Sequence, residues 1–350
     1  MAHRLAERSS SPGEMWAEVE RGRRRRGSPD DLEAQVVPPI GTYGAGSELE
    51  RSGHRYPRMM AIRSRRHPEG ANGDWFIDDR CIGCGASNSI APQLIRAASD
   101  GRQFVFVRQP ESKEDVRLAQ VAAEVCPTRS IGTESGRRWR KHHPVEVTAG
   151  VWRTGSNSAE TAGGNAFVLR RQSGNVLVDA PRFTPSVRSD VARLGGLSTI
   201  LLTHRDDVGD AERYAETFGA DVTIHEADRD AAPFATRILT GTDPVEVTDG
   251  VLAIPTPGHT RGHVMYLADS ETLFTGDSLS WDPDLDDLWA EEFVCWWSWP
   301  DQLDSLDRLT QHSFVRVVPT HGAISPTVDA RDMSDRLGRL VASLRSKRKQ

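Results

Sequence analysis

Apolar runs of strand length begin only after residue 72. Trp75-Phe76-Ile77-Asp78 and Phe104-Val105-Phe106-Val107 are short enough for strands. Residues 116–125 carry apolar positions at helical spacing, and Ser130-Ile131-Gly132 reads as a return strand. Further on, 166–169 and 176–179 alternate around Ser173-Gly174-Asn175 as a hairpin does. A helix is predicted over 185–194, stopped by Gly195-Gly196. A strand at 199–202, a helix at 210–218 and a strand at 222–224 follow. The second half repeats the scheme, with strands at 251–254, 264–267 and 272–274, a helix near 302–309 and a last strand at 315–318. Strands followed by helices in two halves predict two sheets between helical layers.

Residues 1–72 show no such period and are rich in Arg, Ser, Gly, Pro and Glu. They cannot bury enough surface to offset chain entropy, so a disordered basic tail is expected there. The arginine run within 21–26 reads as a solvated charge run. Three units follow from the pattern: a tail over 1–72, a small module over 73–136 and a larger domain over 145–345, with a charged linker at 137–143.

The bulk numbers narrow the function classes. The chain has 350 residues and a net charge of −6, which argues against nucleic-acid binding. Its mean hydropathy is −0.51 and no run approaches the length of a membrane span. The N-terminal charges precede no apolar stretch, so no secretory signal is read and a cytoplasmic setting is expected. Four cysteines in so long a chain make no disulfide scaffold, and the C-x-x-C pair Cys81 and Cys84 reads as metal or redox chemistry.

The strongest chemical signal is a series of strand-end motifs. They are Thr203-His204-Arg205-Asp206-Asp207, Pro257-Gly258-His259-Thr260-Arg261-Gly262-His263, Phe274-Thr275-Gly276-Asp277 and Pro319-Thr320-His321-Gly322. In nearly every case an apolar strand ends and a turn presents an imidazole or carboxylate, the groups that Zn, Fe and Mn accept. This series resembles the metallo-β-lactamase superfamily. The Cys81-Ile82-Gly83-Cys84 segment with Ile90-Ala91-Pro92 and Cys126-Pro127 resembles a single-cluster ferredoxin module. The resemblance implies an α+β protein, a four-layer αββα sandwich preceded by a small α+β ferredoxin-like module.

It also implies roles for residues. His204 and His259 are the expected ligands of one metal, Asp277 the bridging carboxylate, and Asp210 and His321 the ligands of a second metal. Asp206 or Asp207 stands where a second histidine is usual, which tilts the site towards Fe or Mn. Asp207 and Asp277 are the catalytic carboxylates. Ala211 stands where the resembled subgroup has a histidine, so one tightly held ion, Zn or Fe, or two ions are expected. Asp210 reads equally well as a helix N-cap. His263 reads as a second-sphere donor or a plain loop residue. His142, His143, His225 and His312 read as bystanders.

In the module, Cys81, Cys84 and Cys126 are the expected cluster ligands, and Ser87 stands where a fourth cysteine belongs. Three thiolates are compatible with a [3Fe–4S] cluster, a [4Fe–4S] cluster completed by Ser87 or water, a zinc ion or an empty relic. Cys295, in Phe293-Val294-Cys295-Trp296-Trp297, reads as a small hydrophobe beside a cleft or core. The implied activity is metal-dependent hydrolysis, a hydroxide generated at the metal attacking an ester, thioester or lactone-like bond of a small molecule. The alternatives are an iron oxidoreductase fed by the module and an electron-transfer partner, or a binding protein with decayed sites.

Overall fold

A computed structural model describes residues 61–347, so residues 1–60 of the expected tail lie outside it. The small module pairs β1 (Trp75–Ile77) with β4 (Ile131–Thr133) and β2 (Ile95–Ala97) with β3 (Phe104–Phe106), both antiparallel. Helices α1 (Ala86–Ile90) and α2 (Lys113–Val125) complete it. Helix α2 starts three residues before the apolar period because Ser112 and Asp115 form a capping box that satisfies its first amides. Trp75, Ile77, Leu94, Ile95, Phe106 and Ala122 fill the module's core.

Residues 61–72, read from sequence as tail, are hydrogen-bonded into this module. The Ile62 amide donates to Asp78 Oδ2 at 2.7 Å and the Ala71 amide to the Phe106 carbonyl at 2.7 Å. The Arg66 guanidinium reaches the Ala71 and Gly73 carbonyls and Glu134. These contacts are polar, which is why a reading based on apolar period misses them. Limited proteolysis is therefore expected to spare residues 61–74 together with the module. A trimmed product beginning at Trp75, with unchanged melting temperature, would show that these contacts contribute nothing.

The body of the chain holds two larger sheets. The first contains β5 (Val145–Thr148), β6 (Val151–Arg153), β7 (Phe167–Leu169), β8 (Val176–Val178), β9 (Thr199–Leu201), β10 (Asp221–His225) and β11 (Arg237–Leu239), with β8 to β11 parallel. The second contains β12 (Val245–Thr248), β13 (Val251–Pro255), β14 (Val264–Ala268), β15 (Thr272–Gly276) and β18 (Arg316–Pro319), and β15 and β18 run parallel. A hairpin of β16 (Ser280–Asp282) and β17 (Asp287–Trp289) interrupts the order.

Apolar faces explain how these pieces stack. Phe167, Val178 and Leu201 of the first sheet share a cluster with Ala253, Tyr266, Phe274 and Val318 of the second. The opposite face of the first sheet packs Leu177, Ile200 and Val222 against α3 (Pro185–Leu194) and α4 (Ala211–Phe218). The opposite face of the second packs Ile254, Met265 and Val317 against α5 (Trp299–Leu309) and α6 (Ala330–Lys347). Both faces of these short strands are buried, so they read as continuous apolar runs. Helix α5 begins at Trp299, earlier than the predicted 302, because Ser298 caps it and Pro300 suits its first turn. No helix among the described residues is long and apolar enough to cross a membrane.

The module and the body touch. The Ser156 amide donates to the Glu124 carbonyl, and the Glu124 carboxylate accepts from the His142 and His143 amides and from His143 Nδ1 at 2.8 Å. His142 and His143 thus tie the linker to α2.

Candidate metal centre and cysteine pocket

Strand ends deliver the polar residues to one edge of the two sheets. Thr203 and His204 follow β9, His259 follows β13, Asp277 follows β15 and His321 follows β18. The turn 205–207 is a single 3₁₀ turn that folds Asp206 and Asp207 back toward His204. His204 Nε2 lies 3.7 Å from Asp277 Oδ2 and 3.7 Å from Asp207 Oδ2. His259 Nε2 lies 3.7 Å from the same Asp277 oxygen and 3.9 Å from Asp206 Oδ2. His321 Nδ1 instead donates a hydrogen bond to Asp277 Oδ1 at 2.7 Å, so this predicted ligand lies beside the cluster and belongs to neither candidate ligand group. Two donors about 2.0–2.2 Å from one tetrahedral ion stand about 3.3–3.6 Å apart. The His–carboxylate spacings of 3.7–3.9 Å are a few tenths of an ångström wider, so a shared ion needs only a small closing of the side chains.

The second nitrogens confirm the aim of the rings. His259 Nδ1 donates to the Val294 carbonyl at 2.6 Å, which leaves Nε2 as the bare lone pair. His204 Nδ1 is 2.9 Å from Thr203 Oγ1, whose hydroxyl is in turn 3.0 Å from the Asp179 carboxylate. Donation along that relay again leaves Nε2 as the acceptor atom. Both Nε2 atoms are buried and have no hydrogen-bond partner. Orphaned buried nitrogens are costly in a folded protein, and a cation between them removes the cost. Burial lowers the His204 pKa to about 3, so the ring is neutral and able to ligate. Burial raises Asp277, but the charge and hydrogen bond of His321 act together with the neighbouring imidazoles to hold the carboxyl well below its usual range.

Asp210 does not join these residues. Its Oδ2 accepts the Phe183 amide at 2.6 Å, and Oδ1 is 3.6 Å from Arg213. The 3₁₀ turn has already used the chain length that would have brought it inward. Asp210 precedes α4 yet makes no side-chain cap on it. Ala211 is fully buried within the apolar cluster formed by α3, α4 and the first sheet, among residues such as Ala180 and Tyr214. It occupies a packing position, not a ligand position. Ala211→His is therefore expected to add no metal and to lower stability by about 1–3 kcal/mol through overpacking. Metal content together with a urea midpoint checks this, and a second equivalent of metal in the variant would restore the ligand reading of position 211.

Two supporting residues, Asp179 and Asp228, were not legible as such in the sequence, whereas His263 was read there as either a donor behind the ligands or a plain loop residue. Asp179 is buried and accepts the Thr203 amide at 2.8 Å and the Thr320 hydroxyl at 3.0 Å, and burial raises its pKa to about 7. Its position at the end of a Val-Leu-Val strand was the available signal. Asp228 is buried and accepts from the Arg205 amide at 3.1 Å, the Gly262 amide at 3.1 Å and the Thr260 hydroxyl at 2.6 Å. It fastens the His204 turn to the His259 loop. His263 is buried, its Nδ1 2.9 Å from Thr256 Oγ1, while its Nε2 accepts the Asp277 amide at 3.3 Å. It holds the Asp277 backbone in place and belongs to neither candidate ligand group. His225 caps the Ala227 amide and contacts the Gly241 carbonyl, away from the centre.

In the module, Cys81, Cys84 and Cys126 line one small pocket together with Ser87. The Ser130 amide donates to Cys126 Sγ at 3.3 Å and the Phe104 amide to Cys81 Sγ at 3.5 Å. Amide-to-sulfur bonds of this kind stabilise cluster thiolates. The Ser87 hydroxyl donates to the Ala122 carbonyl at 3.0 Å, so it stays a neutral alcohol. Burial pushes the Cys81 thiol up to about 11, so iron or zinc would have to displace its proton. Cys295 donates to the Gly258 carbonyl at 3.1 Å and packs against the second sheet's cluster.

One loop separates the two sites. A Cβ on Gly163, whose φ is +86°, would lie 2.8 Å from Cys84 Sγ. A Cβ on Gly164 would lie 2.8 Å from Asp207 Oδ1. Two adjacent glycines thus press on a pocket cysteine on one side and a centre carboxylate on the other.

Two sheets with a His and Asp cluster at the strand ends are the arrangement that the resemblance to metallo-β-lactamases implies. Residues 77–133 match the model of the 4Fe-4S single cluster domain of ferredoxin I. A ferredoxin of Thermococcus litoralis is 39% identical over 56 residues, which are 16% of this chain and 88% of that protein. A hydroxyacylglutathione hydrolase of Fuscovulum blasticum is 38% identical over 121 residues, 33% of this chain and 47% of that enzyme. The chain spans about half the length of the curated hydrolases it matches. The subclass B3 metallo-β-lactamase of Bradyrhizobium japonicum aligns at 16% identity with a TM-score of 0.42, over 59% of this chain and 93% of the other. About a third of the chain resembles part of curated hydroxyacylglutathione hydrolases, and the N-terminal module belongs to the single-cluster ferredoxin family.

Proposed function

We propose that the protein is a metal-dependent hydrolase acting on an ester, thioester or lactone-like bond of a small molecule. Its body is read as a four-layer αββα sandwich over 145–345, preceded by the module over 73–136, to which residues 61–72 are hydrogen-bonded. The observation that carries the proposal is the pair of buried, partnerless Nε2 atoms on His204 and His259, both 3.7 Å from Asp277 Oδ2. His204, His259 and Asp206 form one candidate ligand set and His204, Asp207 and Asp277 another. A divalent ion held there supplies Lewis acidity and a water of lowered pKa. Asp207 and Asp277 are the proposed catalytic carboxylates, and Asp179 behind Thr203 would keep His204 in the ligating tautomer. Three carboxylates with two imidazoles favour Fe or Mn over Zn.

Protein purified without oxygen is expected to carry at least one such metal per chain and to hydrolyse an aryl ester or a thioester. Chelation and His259→Ala should each abolish hydrolysis. Metal-loaded protein inert towards esters, thioesters and lactones would sink the hydrolase reading.

The glycine pair supports a second reading, an iron oxidoreductase in which an iron–sulfur cluster on Cys81, Cys84 and Cys126 exchanges electrons with the metal centre. Cys84 and Asp207 lie against the two neighbouring residues Gly163 and Gly164, so the electron path between the sites would be short.

A further inference from the structure

A cleft of about 610 Å³ opens over the metal centre, and its outer wall belongs to the ferredoxin-like module. That volume suits a drug-sized molecule. On the body side the half-buried Trp289 and Trp296 line it, and Trp296 lies edge-on to His259 at 6.0 Å. On the module side Arg96 is the one Lys or Arg among the described lining residues. Its guanidinium is 4.0 Å from Asp284, at the exposed tip of the β16–β17 hairpin, a loose pair that only partly offsets its charge. Asp282 and Glu291 add two more carboxylates to the same walls. The centre's own carboxylates, Asp206, Asp207 and Asp277, are offset by the ions they would hold.

Away from the metal, then, the cleft is aromatic and negative. A polyanionic leaving group such as glutathione or a nucleotide would meet two carboxylates, Asp282 and Glu291, beyond the Asp284–Arg96 pair, and their repulsion disfavours it. A flat uncharged group meets indole surface, which rewards burial of rings. The geometry points to an uncharged ester or thioester carrying an aromatic or similarly flat apolar group, bound between the tryptophan wall and the module with its carbonyl at the metal. This rests on the hydrolase reading for the bond cleaved, and on the cleft alone for the body of the substrate. It also gives the module a role in binding that is independent of electron transfer.

Quenching of tryptophan fluorescence by N-benzylbenzamide and by its para-carboxylate tests the inference on the intact, metal-containing protein. The neutral amide is expected to bind at least about ten-fold tighter. Trp289→Ala should weaken it about five-fold or more, while Trp289→Phe keeps most of the affinity. Asp284→Lys, at an exposed tip, should narrow the gap by strengthening the carboxylate. Equal or tighter binding of the carboxylate, or indifference of its affinity to Asp284→Lys, would overturn the inference. Phenyl phenylacetate hydrolysis is measured alongside. Preferential binding of the neutral amide without hydrolysis of the ester would end the hydrolase reading and leave the cleft assignment standing.

Discussion

Asp228→Ala is expected to strip the centre of metal and to destabilise the fold, although Asp228 touches no metal site. Its two oxygens accept two amides and one hydroxyl from the loops that carry His204 and His259. Removing the carboxylate strands all three donors in a buried place, at about 1–3 kcal/mol each. The loops are then free to part, and a metal centre loses roughly 10–100-fold in affinity when such outer contacts go. Thr260→Val separates the two effects. It removes the 2.6 Å hydroxyl contact without stranding a donor, so the fold should survive while metal is retained less well. Metal content after dialysis and calorimetric melting temperature are the measurements. Unchanged metal retention in both variants would show that Asp228 only fills space.

That residue also marks the limit of what the sequence reveals. The strand-end rule found His204, His259, Asp277 and His321, because an apolar run followed by an imidazole or carboxylate is a local pattern. It could not decide among Asp206, Asp207 and Asp210, since that choice turns on one 3₁₀ turn. The turn sends Asp206 and Asp207 inward and leaves Asp210 on the Phe183 amide. Ala211 looked like a missing ligand for the same reason. Asp179 and Asp228 act on partners 24 or more and 23 or more residues away along the chain, which no local pattern encodes. In the module, three cysteines at cluster spacing were plain to see. The engagement of Ser87 with the Ala122 carbonyl was not, because it depends on how α1 packs against α2.

The two glycines between the sites give the last expected result, and it separates the competing functions. Gly163→Ala should empty the cysteine pocket of iron and acid-labile sulfide. Its φ of +86° is a conformation that a side chain strains, and the new methyl would fall 2.8 Å from Cys84 Sγ and 3.3 Å from Pro127. A sulfur so crowded must move, and a cluster held by three thiolates has none to spare. Gly164→Ala should leave the pocket loaded and disturb the metal centre instead, since its methyl would fall 2.8 Å from Asp207 Oδ1 and from Thr320 Cγ2. Thr320 is pinned to Asp179, so Asp207 is the partner that yields. Elemental analysis and sulfide content of the two variants read these losses directly. Full iron and sulfide in Gly163→Ala would refute the packing argument. With the losses in hand, activity decides between the readings. If the centre only hydrolyses, Gly163→Ala keeps ester cleavage and Gly164→Ala loses it. If the cluster supplies electrons to the centre, dithionite reduces iron at the centre in the parent protein and fails to do so at the same rate in Gly163→Ala, because the neighbouring donor is gone while His204, Asp207, His259 and Asp277 remain in place.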